Sequence, residues 1–90
     1  MKIAVIILHY GKLETTKKCL VDLSKKISEH KVILINNTQD DISGLAKIIN
    51  GTKIINNKTN VGFAGGVNQG IALASNDKSI THYFLMNNDL

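Results

Sequence analysis

Ile3-Ala4-Val5-Ile6-Ile7-Leu8 is an unbroken apolar run rich in β-branched residues, and its reading decides the fold. A strand with one wet face alternates apolar and polar residues. A run with no alternation suits a strand covered on both faces, as in a parallel sheet flanked by helices. The run is far short of the ~20 residues needed to cross a bilayer. Met1-Lys2 ahead of it faintly resembles a secretion leader. His9-Tyr10-Gly11-Lys12 ends the run early without a small-residue cleavage site, so it reads as a strand.

Outward from this strand the chain alternates. Leu13, Leu20, Leu23 and Ile27, with Thr16 and Cys19 between them, trace a helical stripe from about Lys12 to Ser28. Val32-Ile33-Leu34-Ile35 is a second buried strand, stopped by the polar turn Asn36-Asn37-Thr38-Gln39-Asp40-Asp41. Ile42, Leu45, Ile48 and Ile49 mark a short helix closed by Asn50-Gly51. Lys53-Ile54-Ile55 is a third strand. A helix follows from about Gly62 to Ser75, and His82-Tyr83-Phe84-Leu85-Met86 is the fourth strand. Repeated strand–helix units imply right-handed crossovers and a three-layer α/β/α domain around a mainly parallel four-stranded sheet. Ligands of such sheets bind beyond the carboxyl ends of the strands. His9-Tyr10-Gly11, Asn36-Asn37 and Asn87-Asn88-Asp89 all fall there.

Ninety residues make one small domain, burying about 60–65% of the surface its unfolded chain exposes. The net charge of +4 comes from eleven lysines and no arginine. They are spread along the chain, whereas nucleic-acid binders concentrate basic residues and favour arginine for bidentate contacts. The composition therefore argues against a nucleic-acid partner and resembles the codon bias of an AT-rich genome. A single cysteine forms no internal disulfide and fits a reducing cytoplasm. Cys19 lies on an apolar stripe and reads as core. His30 and His82 lack metal-ligand spacing.

Asn60-Val61-Gly62-Phe63-Ala64-Gly65-Gly66-Val67-Asn68-Gln69-Gly70 holds four of the seven glycines within a helical apolar pattern. Each helix-interior glycine costs roughly 1 kcal/mol relative to alanine, so these need a reason. Either a ligand approaches the helix start or the helix packs tightly on the sheet. A dinucleotide fold would place G-x-G-x-x-G after the first strand and an acid after the second. His9-Tyr10-Gly11-Lys12-Leu13 and Asn36 fail both requirements, and no G-x-x-x-x-G-K-[ST] exists.

The strand followed by HYGKLETTKKCLVDL, then VILINN, NVGFAGGVNQG and YFLMNND, resembles the start of a glycosyltransferase family 2 protein. Bacterial rhamnosyltransferase-like members look most similar, and the match extends over nearly the whole chain. The resemblance implies the N-terminal, donor-binding half of a GT-A (Rossmann-like) fold, taking a nucleotide-diphosphate sugar with a divalent metal, Mg²⁺ or Mn²⁺. Asp89 then falls on the metal-binding carboxylate of the D-x-D-type motif. Asn87 stands where many relatives have its first Asp, with Asn88 between them. A metal held by few carboxylates and phosphate oxygens would neutralise the departing diphosphate. Asn36 occupies the place of a base-binding Asp, and Asn37 shapes the turn. Tyr10 is positioned to stack on the base, while His9 and Gly11 depart from the usual asparagine-containing turn. Gly62, Gly65 and Gly66 meet either the diphosphate or the sheet. Asn68 is expected to be buried, tying its helix to the Asn87–Asp89 loop. Lys58 reads as a solvated loop lysine.

The resemblance also implies that the general base lies beyond Leu90, because no acid within the chain has a strong claim to that role. The expectation is a truncated nucleotide-sugar-binding domain over 1–90, acting in the cytoplasm or at the inner face of the membrane, without a membrane span. It would transfer sugar to a saccharide or cell-surface glycan only poorly by itself, with self-association through its truncated sheet edge. A non-catalytic nucleotide-binding or interaction module on the same fold is the alternative.

Overall fold

The computed structural model describes residues 2–26 and 30–88. Its elements run β1 (Ile3–His9), α1 (Leu13–Ser24), β2 (Lys31–Asn36), a 3₁₀ segment (Ser43–Lys47), β3 (Lys53–Asn56), α2 (Gly62–Ala74) and β4 (His82–Asn87). The four strands form one sheet in the order β3-β2-β1-β4, with every pairing parallel. This is the expected α/β architecture.

The sheet is covered on both sides, which is why β1 and β2 show no polar alternation. Val5, Ile7, Val32 and Leu34 face α1 and the 3₁₀ segment, packing with Cys19, Leu20, Ile42 and Leu45. Ala4, Ile6, Leu8, Ile33 and Ile35 face α2, packing with Val67 and Ala74. One strand thus buries alternate residues in two separate cores.

The strand order explains the layering. From β1 the chain steps outward through β2 to β3, then returns across the sheet to pair β4 with the free side of β1. A right-handed crossover that reverses direction must put its helix on the opposite face. Accordingly α1 and the 3₁₀ segment share one face and α2 takes the other.

Two local readings change, and the sheet order places one further element. The helix expected over about 12–28 ends at Ser24, and Ile27 and Ser28 lie outside the described residues. The apolar pattern at Ile42, Leu45 and Ile48 is carried by a 3₁₀ segment of five residues. With Gly44 inside it and Asn50-Gly51 close behind, the segment is too short to propagate an α-helix. The fourth strand is an outer one: Tyr83, Phe84 and Leu85 remain 41%, 51% and 40% exposed. Among the described residues, no helix is long and apolar enough to cross a membrane.

Candidate functional site

The reversal in strand order falls between β1 and β4, so the carboxyl ends of these two strands flank the switch point where open α/β sheets bind ligands. In-register pairing brings Leu8 beside Asn87 and His9 beside Asn36. Most of the polar residues expected at the site therefore gather along one edge of the sheet.

His9 ends β1 fully buried on the α1 side. Its Nδ1 lies 2.5 Å from Thr16 Oγ1, and Thr16 Oγ1 accepts a hydrogen bond from Asn88 Nδ2 at 2.8 Å. Thr16 satisfies all three groups when its hydroxyl donates to Nδ1, which leaves the ring proton on Nε2. Nε2 is buried without a partner among the described residues. Burial holds the His9 imidazole below its ordinary pKa, with the Asp40 charge opposing in part. Asn88 also donates to the Tyr10 carbonyl at 2.6 Å. One amide thereby clamps the end of β4 to the turn after β1.

Asn36 is equally enclosed. Its Nδ2 donates to the Asp40 carbonyl and to Asn56 Oδ1, and its Oδ1 accepts from the Thr38 N–H and hydroxyl. Two donors and two acceptor sites are the whole capacity of an amide side chain. In this arrangement Asn36 shapes the turn after β2 and offers nothing free to a base. Asn37, 8% exposed, reaches the other way. Its Oδ1 accepts from Asn57 Nδ2 at 2.9 Å, and its Nδ2 approaches the Gly62 carbonyl at 3.5 Å. An open polar groove of about 450 Å³ lies beside these turns, lined by Asn36, Thr38, Asp40, Asn56, Asn57 and Lys58 among others.

The glycines of the long motif divide by role. Gly62 has φ +78, is exposed and has open space around its missing Cβ, so it makes the left-handed turn that starts α2. A Cβ on Gly66 would meet Leu8 and Ile35, and one on Gly70 would meet Ile6, so these two let α2 lie against the sheet. Gly65 faces Val61 of its own helix start. Gly11, at φ +75, turns the chain after Tyr10. The Tyr10 residue itself is 39% exposed at this edge.

Asn68 is exposed, not buried. Two residues past Gly66 is about 200° around a helix, so a sheet-facing Gly66 turns Asn68 outward. A different tether, to the turn after β3 and not to the Asn87–Asp89 loop, sits on the next residue. Gln69 and Asn57 exchange two hydrogen bonds, Nε2 to Oδ1 at 2.8 Å and Nδ2 to Oε1 at 2.9 Å. Neither was singled out in the sequence. The signal was there: Gln69 lies between two sheet-facing glycines, near the buried side of α2.

Asp89 lies outside the described residues. Among the described residues no group of three or more His, Cys, Asp or Glu side chains is arranged to hold a metal. The Asn87 Oδ1 is a buried oxygen without a partner among the described residues, chemically the hard donor type that Mg²⁺ and Mn²⁺ take.

A doubly wound parallel sheet with polar turns converging on its switch point defines a Rossmann-like α/β domain. Compared with known protein families, residues 4–90 match Glycosyl transferase family 2, and the chain belongs to that family. No curated protein matches its sequence. Membership makes this a glycosyltransferase-type domain of the class that binds nucleotide-sugar donors.

Proposed function

We propose that this chain is the donor-binding half of a metal-dependent glycosyltransferase that moves a hexosyl or rhamnosyl group from a nucleotide diphosphate to a saccharide or cell-surface glycan. The observation that carries the reading is the family match over residues 4–90 on a sheet whose switch point gathers the polar turns. Tyr10 supplies an exposed ring for stacking on the base. Gly11 and Gly62 keep the approach open, and the groove beside Asn56 and Lys58 provides polar walls. Asn36, Asn37 and Asn88 act as the frame behind these groups.

Asp89 would hold Mg²⁺ or Mn²⁺ together with donor phosphate oxygens, and Asn87 is a further oxygen on this edge. When bound, the ion neutralises charge on the departing diphosphate. On this reading the ninety residues bind donor but transfer sugar poorly. The unpaired Cys19 supports a reducing, cytoplasmic setting. The exposed β4 edge supports self-association.

Titration with UDP, dTDP and GDP, with and without Mn²⁺, tests the reading. Metal-dependent binding that disappears in Asp89→Ala is expected. Metal-independent binding, or no binding by folded protein, would favour a non-catalytic module instead. Robust turnover of a radiolabelled donor by the purified chain would refute the expected inactivity.

A further inference from the structure

The chain from Lys58 to Ala64 is exposed at every residue, yet it must hold one shape to start α2 beside the switch point. Ordering each residue costs about 1–2 kcal/mol of backbone entropy, and burial contributes little here to offset it. Hydrogen bonds must do so. The N-cap residue of α2, Val61, has no side-chain cap of its own.

Three amides outside the loop, one on α2 and one in each of the turns after β3 and β2, meet its start. Gln69 on α2 and Asn57 after β3 form their reciprocal pair. Asn57 Nδ2 also donates to Asn37 Oδ1 at 2.9 Å, and the Asn57 N–H donates to the Asn36 carbonyl at 3.0 Å. The Asn37 Oδ1 then accepts from the Val61 N–H at 3.4 Å. Within the loop, Asn60 Oδ1 accepts from the Gly62 N–H at 2.8 Å. The chain of bonds thus runs from the body of α2, across the ends of β3 and β2, back to the first turn of α2. Asn57 also lines the polar groove.

We infer that Asn37, Asn57 and Gln69 are positioning residues: their amide network sets the 58–64 loop and the first turn of α2 in the shape that a nucleotide-diphosphate donor meets. The inference rests on the donor-site reading above. Gln69 acts through Asn57 and Asn37 and touches no ligand itself.

The test uses Gln69→Ala and the exchanged pair Asn57→Gln/Gln69→Asn, which keeps both amides and the summed side-chain length. Three readouts are taken: amide hydrogen exchange, thermal midpoint, and affinity for UDP, dTDP and GDP with Mn²⁺. Gln69→Ala is expected to speed exchange over 57–64 while β1 and β2 stay protected. Affinity should weaken about three- to tenfold, the scale of a lost hydrogen bond. The exchanged pair should restore both. Unchanged exchange in Gln69→Ala overturns the inference. So does faster exchange with wild-type affinity, because the network would then be structural only. If wild type itself binds none of the three nucleotides, the donor-site reading fails first and this inference falls with it. Should Gln69→Ala fail to fold, Gln69→Met keeps the side-chain length, removes both hydrogen-bonding ends without adding charge, and is read in the same way.

Discussion

Gly70→Ala is the most direct probe of how α2 sits on the sheet. A Cβ at this position would lie 2.6 Å from Ile6 Cγ2, 3.0 Å from Cδ1 and 3.1 Å from Cγ1. Carbon atoms rest about 3.5–4.0 Å apart, so Ile6 and α2 must separate by about 1 Å. Ile6 is fully buried on β1, a strand paired on both sides. Its β-branched side chain has little freedom at χ1, so relief must come from moving the helix. Overpacking of this kind costs about 1–3 kcal/mol. Replacing a helix-interior glycine by alanine returns about 1 kcal/mol. Weighting the packing cost toward its upper half, because all three contacts fall on one immobile side chain, the net loss is about 1–2 kcal/mol. For a domain of this size that lowers the thermal midpoint by roughly 5–15 °C. Urea denaturation followed by far-ultraviolet circular dichroism, with unchanged slope, measures it. A double-mutant cycle isolates the cause: in an Ile6→Ala background the same glycine change should become neutral or stabilising. A Gly70→Ala protein as stable as wild type, or an equal loss in both backgrounds, would refute close packing as the reason for this glycine.

Gly44 gives the opposite expectation, because its missing Cβ faces open space and its φ is not positive. Gly44→Ala should stabilise by about 0.4–1 kcal/mol through the unfolded chain, and a lowered thermal midpoint would contradict this. Asp77 pairs with Lys31, accepts hydrogen bonds from Ser79 and pairs with Lys2, which together hold its carboxyl far below the usual range. A depressed carboxyl contributes stability above the unfolded-state value and loses it as pH falls through the folded one. The thermal-midpoint gap between wild type and Asp77→Asn should therefore be widest near neutrality and close progressively below about pH 4. A gap that persists undiminished in acid counts against the ion pairs. Burial lowers the His9 pKa, so the folded protein binds that proton less readily than the unfolded chain. Stability should fall as pH drops below about 6.5, and NMR titration of the His9 ring should show a midpoint below that of a free imidazole. A midpoint above it would mean the ring finds a charged partner.

The two inner strands were legible because burial on both faces erases polar alternation, and their short length and β-branched content set them apart from a buried helix. The order of the strands was not written in any single segment. It follows from which neighbours each strand finds, and only the assembled sheet shows that β4 returns beside β1. The 3₁₀ segment escaped for a different reason: residues spaced by three serve either helix type, and length decides between them. Asn68 was misplaced because a polar residue inside a glycine-rich motif looks buried until the phase of the helix is known. Once Gly66 and Gly70 define the sheet-facing side, Asn68 must turn outward and Gln69 falls near the packed face.

The asparagines of this edge invite reading as ligand contacts, yet their hydrogen bonds argue otherwise. Asn36, Asn37 and Asn88 are buried and bonded within the protein, as is His9 through Nδ1. Buried polar groups are almost always satisfied internally, and Asn36, whose two donors and two acceptor sites are all taken, cannot also read a base. Their work is to fix the backbone of three turns whose strands end at different points around the switch. On the proposed donor-site reading, contact with the base falls to what stays exposed: the Tyr10 ring and the chain around Asn60 and Gly62. A substitution among the buried set should therefore change whether the site holds its shape. A substitution among the exposed set should change what the site prefers. The family motif carries both kinds of residue side by side, and burial separates them where spacing does not.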